Sequence, residues 1–315
     1  MGKIVTLGEV VADIYRDESE SEVELPFTAR PGGAPANVAV AAARLGSEAT
    51  FIGSVGEDLF GNFILRALEA EDVDASPVRR CEPPTRTSLA FVEVAADGDR
   101  SFTFYRSNPA ADELLSAEDV SREVLSGASF VNFGSIPLIR EPSRSAVHRA
   151  ADLAEKLDVP LAFDVNFRGH LWKSPEAARE VVDPLLDRSQ VIKMGDDELS
   201  PMLGTEDPQE AAEMLLDRGA TLALISLGPD GAVYATPEFS GHVPAFEVDE
   251  ILDATGAGDA FLAAALTHLS ESAWDEENVR EATRRGTVAG AIACTAYGAM
   301  SALPTRDELE RSLGS

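Results

Sequence analysis

Runs of consecutive apolar residues alternate along this chain with segments whose apolar positions recur every three to four residues. The runs are "KIVTLG" (3–8), "ATFIGSV" (49–55), "SFVNFG" (129–134), "PLAFDV" (160–165), "QVIKMG" (190–195) and "TLALISLG" (221–228). Helical periodicity falls at 36–45, 58–70, 143–157, 175–187 and 208–218, and after residue 253 at 259–270, 275–296 and 306–313. Near-continuous apolar strands separated by helices predict a mainly parallel sheet covered on both faces. No repeat, low-complexity linker or change of composition divides the chain, so residues 1–315 are expected to form a single domain.

Two stretches break the rhythm. "TSLAFVEVAADGDRSFTFYR" (87–106) reads as two strands joined by a turn at "ADGD", and "DIYRDESESEVELPFTARPG" (13–32) has no helical period. They predict a small lid of strands within about 10–32 and 87–106. A two-stranded piece is marginal alone, so the lid must pack on the domain or on a partner's lid.

Composition narrows the partners. An apolar fraction of 44% excludes a disordered chain, and no stretch approaches the roughly 20 apolar residues that span a bilayer. The N-terminal "MGKIVTLGEV" runs straight into a strand without the layout of a cleavable signal, so a cytoplasmic protein is expected. Asp and Glu number 55 against 26 Lys and Arg, giving a net charge of −29, and only four of the cations are lysines. That field repels nucleic acid and anionic membranes. It is the balance expected of a protein built for a high-salt interior, where screening tames self-repulsion. Cys81 and Cys294 are far apart without CxxC spacing, so neither a zinc cluster nor a disulfide framework is available, and both are expected to be small core residues. The four histidines show no metal-ligand spacing.

The chemistry concentrates at glycine-rich helix entrances. In "ILDATGAGDAF" (251–261), Gly256, Ala257 and Gly258 permit a turn with converging N–H groups at a positive helix end, which makes an anion site. Asp259, directly behind, is placed to take a proton from a hydroxyl that attacks a phosphate held there. The same string would also serve as a capped turn. In "RPGGAPANVAVAAARLG" (30–46), Gly32 and Gly33 allow close approach of a ligand and Asn37 offers an amide, although taken alone the string is better accounted for by a loop–helix junction with an early proline. Asp13, following the first strand, could accept hydrogen bonds from sugar hydroxyls. At the ends of later strands stand Asp164, Asn166 and Arg168, then Lys193 and Glu198, then Ser226, Gly228 and Gly231. Open α/β sheets bind ligands at this edge. No Walker A sequence occurs, and no GxGxxG follows the first strand, so a P-loop site and a dinucleotide oxidoreductase are disfavoured.

Together these residues resemble the ribokinase-like carbohydrate kinases of the phosphofructokinase-B family. "PGGAPANVAVAAARLGSEATFIGSVGEDLFG" (31–61) looks like the family's N-terminal signature and "DATGAGDAF" (253–261) like its C-terminal one, and the likeness runs from about residue 3 to 304. "FTFYRSNPAADELL", "FGSIPL", "DVNFRGHLW" and "IKMGDDELS" are most similar to fructokinases.

The resemblance implies a ribokinase-like three-layer α/β/α domain with a small β-strand lid. It also implies ATP-dependent phosphorylation of a sugar hydroxyl, with Mg²⁺ and a monovalent cation, K⁺. Asp259 would be the base, and the amides of Gly256, Ala257 and Gly258 would steady the transferring phosphoryl group. Asp13, Gly32, Gly33 and Asn37 would hold the sugar, with Arg106 and Arg168 nearby. Lys193, Ser226, Gly228, Gly231, Gly256 and Gly258 would lie by the nucleotide, with Gly290 in the helix flanking adenine. Glu198 would organise Mg²⁺ through water, and Asp253 and Thr255 match positions that bind a monovalent cation. A homodimer formed through paired lids is expected. One position departs from the family: Gly195 stands where many relatives carry the asparagine of Asn-x-x-Glu.

Fructose is the expected sugar. A 2-keto-3-deoxygluconate kinase is the nearest alternative, with Arg106 and Arg168 meeting a carboxylate. A non-catalytic sugar-binding regulator is a third, against which the intact Asp259 argues.

Overall fold

The computed structural model describes residues 2–17, 23–94 and 100–314, without the side chains of residues 93, 94 and 100–102. Its strands are β1 (Lys3–Leu7), β2 (Val11–Arg16), β3 (Phe27–Gly32), β4 (Glu48–Ile52), β5 (Ser54–Gly56), β6 (Val73–Asp74), β7 (Arg79–Cys81), β8 (Leu89–Val94), β9 (Arg100–Tyr105), β10 (Phe130–Gly134), β11 (Leu161–Asp164), β12 (Val191–Gly195), β13 (Leu222–Ser226), β14 (Ala232–Ala235) and β15 (Ser240–Val243). Nine of them form one sheet in the order β15-β14-β13-β12-β11-β10-β1-β4-β6. The six apolar runs of the sequence are its six adjacent central strands, all parallel.

Side-chain alternation divides the core between the two faces. In β1, Ile4 joins the apolar cluster with helices Ala34–Arg44, Leu59–Ala70, Ala257–Leu269 and Glu276–Ala293. Val5 and Leu7 join the opposite cluster with helices Ser143–Lys156, Pro175–Leu186, Asp196–Leu203 and Pro208–Asp217. The result is the ribokinase-like α/β/α layering, its central strands buried on both faces.

Of the six strands outside this sheet, β5 and β7 pair with each other and four form a second sheet in the order β3-β2-β8-β9, with β2 and β8 parallel and the outer pairs antiparallel. The "ADGD" turn lies outside the described residues. Phe91 packs edge-on against Phe27 at 5.3 Å and contacts Tyr105 at 4.9 Å, while Phe27, Phe104 and Tyr105 are exposed.

Some local expectations fail for identifiable reasons. β14 and β15 have four residues each and pair antiparallel at the sheet edge, too short to show a period. The helix Asp196–Leu203 contains Pro201 and three acids in its first turn, which hide its apolar stripe. The helix expected at 259 starts at Ala257, and the one expected at 275–296 ends at Ala293. Asp13 lies on β2, within the stretch expected to form lid strands. Cys81 is buried as expected, whereas Cys294, just past a helix end, is only half-buried. Among the described residues no helix is long and apolar enough to cross a membrane.

Candidate active site

Both glycine-rich entrances open at one edge of the large sheet. Gly33 precedes the helix Ala34–Arg44 with φ 110°, and Gly256 precedes Ala257–Leu269 with φ 85°, a region that side chains other than glycine rarely adopt. The two helices pack side by side. The Asn37 amide donates to Asp259 Oδ2 at 2.7 Å, joining the entrances across a buried contact, and Asn37 Oδ1 has no protein partner.

A cleft of about 610 Å³ lies between this edge and the four-stranded sheet. Of the residues proposed to hold sugar, Asp13, Gly33, Asn37, Arg106 and Arg168 line it. From the phosphate side come Lys193, Glu198, Thr255, Gly256, Gly258 and Asp259. Gly32 lies just outside, beneath the Asp13 carboxylate, where a Cβ would fall 2.1 Å from Asp13 Oδ2.

Other assignments separate from the cleft. The Ala257 N–H donates to the Ala254 carbonyl at 3.2 Å, so this amide is engaged within the turn rather than offered to a ligand. Asp253 braces the same turn: Oδ1 accepts from the Thr255 N–H at 2.7 Å and Oδ2 from the Gly298 N–H at 2.8 Å. Ser226 ends β13 beside Gly195, and Gly228 and Gly231 flank the short turn that follows; none of the three lines the cleft. Gly290 meets the backbone of Ala257, where a Cβ would stand 3.0 Å from the carbonyl oxygen, so its visible role is close helix packing.

Burial governs the acids. It pushes Asp259 up to about 6, with Asp164 adding to the rise and Asn37, Lys193 and Arg168 opposing it. Asp13 is pushed up to about 7 by burial and then by Asp253. Lys193, in the middle of β12, is buried at the cleft wall and pairs with Asp164 at 3.0 Å. Burial draws its ammonium down, but Asp164 and Glu198 outweigh that, leaving it above its ordinary value. A Cβ on Gly258 would lie 2.8 Å from Lys193 Nζ, so the ammonium rests against the second helix entrance. Glu198 is buried, accepting from the Phe167 N–H at 3.0 Å and the Gly195 N–H at 3.2 Å. Asp197 Oδ1 fills the space beside Gly195, 2.7 Å from where a Cβ would stand.

Sequence reasoning overlooked Glu9 and Asp112. Glu9 is 5% exposed, lines the cleft, and is pushed up to about 8 by burial above all. The signal was present: an acid set among apolar residues in "LGEVVA" is one the fold must bury. Asp112, buried, accepts from Arg106 at 2.6 Å and from Ser88 at 2.5 Å, pairings set by tertiary contact and invisible in "NPAADELL".

A positive helix end with an ammonium against it, and a buried carboxylate one residue on, can grip a phosphate and deprotonate a neighbouring hydroxyl. Fold and site together define a phosphotransferase acting on a small hydroxylated substrate. Residues 1–306 match the pfkB family of carbohydrate kinases, and the chain belongs to that family. It is 39% identical over 310 residues to a probable fructokinase-2 of Arabidopsis thaliana, covering 96% of this chain and 93% of that protein. A fructokinase double mutant from Vibrio cholerae O395, bound to fructose, ADP and potassium ion, superposes with a TM-score of 0.89 at 32% identity, covering 99% of this chain and 98% of that one. The aminoimidazole riboside kinase of Salmonella enterica, complexed with aminoimidazole riboside and an ATP analog, gives 0.85 at 32% identity, covering 99% and 100%.

Proposed function

We propose that this carbohydrate kinase is an ATP-dependent fructokinase that forms fructose 6-phosphate. The observation that carries the reading is the Asn37–Asp259 hydrogen bond, which holds a buried carboxylate between a hydroxyl-binding entrance and an anion-binding one. Asp259 takes the proton of the sugar hydroxyl as its oxygen attacks the γ-phosphorus. The bond from that phosphorus to the β–γ bridging oxygen breaks and ADP leaves. Gly256 and Gly258 lie at the helix end and Lys193 beside it, where charge on the transferring group is stabilised by donors already in place. Asp13 and Asn37 hold the sugar, and the nucleotide extends from Gly258 past Lys193 toward the Ser226–Gly231 turn.

Among the described residues no cluster of three His, Cys, Asp or Glu side chains could hold a metal by itself. A Mg²⁺ brought in with the nucleotide would be organised by Glu198 through water, and Asp197 stands near Gly195, where many relatives have an amide. Such an ion supplies neutralisation of the phosphate oxygens. The Asp253–Thr255 turn is the proposed neighbour of a K⁺. The four-stranded sheet is proposed as a lid that excludes water from the phosphoryl group, and its exposed Phe27, Phe104 and Tyr105 as the contact of a homodimer.

An ADP-release assay over fructose, ribose, glucose and 2-keto-3-deoxygluconate tests the assignment. Turnover is expected with fructose foremost, and a fully folded protein that leaves fructose untouched would overturn it.

A further inference from the structure

The cleft adjoins a smaller cavity of about 70 Å³, and Glu9 and Arg106 line both. Asp112, Glu113 and Arg140 complete the charged lining of the smaller space. Here each cation already lies against a carboxylate. Arg106 pairs with Asp112 at 2.6 Å and lies 3.9 Å from Glu113, and Arg140 lies 3.6 Å from Glu113. Two polar atoms of this wall, Glu9 Oε2 and Arg106 Nε, are buried without any hydrogen-bond partner, and only that of Glu9 is an acceptor. A buried carboxyl oxygen left without a partner carries a desolvation cost that a ligand hydroxyl at this wall would relieve.

We propose that Glu9 is a specificity-determining residue of the sugar site: its free carboxyl oxygen meets a hydroxyl of a neutral sugar, while Asp112 and Glu113 hold Arg106 so that a sugar carboxylate finds no free cation there. The proposal rests on the sugar-kinase reading of the cleft and names the class of sugar it admits. The charges support it. Burial first, then Asp112 and Asp259, push Glu9 up to about 8 against the pull of Arg106. At neutral pH the carboxyl is therefore mainly protonated and offers an O–H. The two arginines and the carboxylates of Asp112 and Glu113 then cancel, which leaves this wall polar and uncharged. A neutral sugar loses little on entering such a wall, whereas a carboxylate placed against it would surrender its hydration with no unpaired counter-charge in this wall.

Steady-state kinetics of the full chain with Glu9→Gln, Glu9→Ala and Asp112→Asn test this, with melting temperatures measured alongside. Glu9→Ala should raise KM for fructose about tenfold with kcat little changed, the loss of one hydrogen bond. Glu9→Gln keeps a donor and should stay within about threefold of wild type. Wild-type KM should climb as pH rises through about 8, where the O–H is lost, and the Glu9→Gln variant should not follow. Asp112→Asn frees Arg106 and should raise kcat/KM for 2-keto-3-deoxygluconate relative to fructose about tenfold or more. An unchanged KM in a folded Glu9→Ala variant overturns the proposal, and so do matching pH profiles for wild type and Glu9→Gln. If Glu9→Ala does not fold, the comparison of pH profiles decides. If wild type prefers another neutral sugar, the fructose assignment falls while the same series on that sugar still judges Glu9.

Discussion

The entrances at Gly33 and Gly256 share a design and carry opposite electrostatics. Each starts a buried helix from a glycine of positive φ with no side-chain cap, and the two helices lie against each other. In the first, Pro35 removes one of the free amides of the opening turn, and the surrounding acids are Glu9 and Asp13. In the second, the turn keeps Gly258 within reach and the Lys193 ammonium rests on it. A helix dipole alone would make both ends attractive to anions. What assigns phosphate to one and hydroxyls to the other is the side chains around them, so a glycine-rich helix start is half a site and its neighbours supply the other half.

The strongest way to break the comparison is to remove the acid found only at the second entrance. Asp259→Ala should lower kcat at least ~10²-fold with KM for sugar within a few-fold, since Asp13, Gly33 and Asn37 remain. Turnover near that of wild type would deny Asp259 its role as base.

Removing the cation should come next. Lys193→Met strips the second entrance of its ammonium and leaves Asp164 buried without its counter-charge, a loss of about 3–5 kcal/mol of stability. KM for ATP should rise by at least about tenfold, and the double variant with Asp164→Asn should regain most of the melting temperature without regaining ATP affinity. Recovery of both would mean that Lys193 serves the fold alone.

These charges also show what the chain makes legible. The six central strands and the helices between them are apolar on a scale that local pattern reports, because both faces of the sheet are covered. Asp259 and Gly33 were legible because each sits in a string whose small residues have few other uses. Glu9, Asp112 and the Asp164–Lys193 pair were less so. Their significance lies in burial and in partners 29 residues away for Lys193, or 24 for Ser88 and Asp112, which only the closed sheet brings together. The Ala257 amide shows the reverse: the string offers it to a phosphate and the turn consumes it.

A titration sharpens the contrast with a smaller effect. Asp259 must be ionised to act, and burial holds it at about 6, so kcat should fall about tenfold per pH unit below 6. Lys193, raised above its ordinary value, adds no limb in the neutral range. Stability runs the other way. A carboxyl whose folded pKa is raised favours the native state below its unfolded pKa, and that contribution is lost as pH rises through about 6. Asp259→Asn should therefore raise the melting temperature more at pH 8 than at pH 5, while abolishing turnover at both. An equal gain at the two pH values would mean that the carboxyl is not desolvated.

The smallest effect should come from uncoupling the entrances. Asn37 is the contact between them, donating to Asp259 Oδ2 and so favouring its charged form. In Asn37→Ala the opposing pull is gone, and the acid limb of kcat should move to higher pH. At pH 8, where Asp259 stays ionised, kcat should drop only a few-fold, while KM for the sugar rises by a similar factor because the free Asn37 Oδ1 is also lost. The two changes separate the functions of one side chain: the shifted limb reports its hold on the base and the KM its hold on the sugar. A raised KM with an unmoved limb would place Asn37 wholly at the first entrance, and the two helix ends would then work side by side without electrostatic coupling.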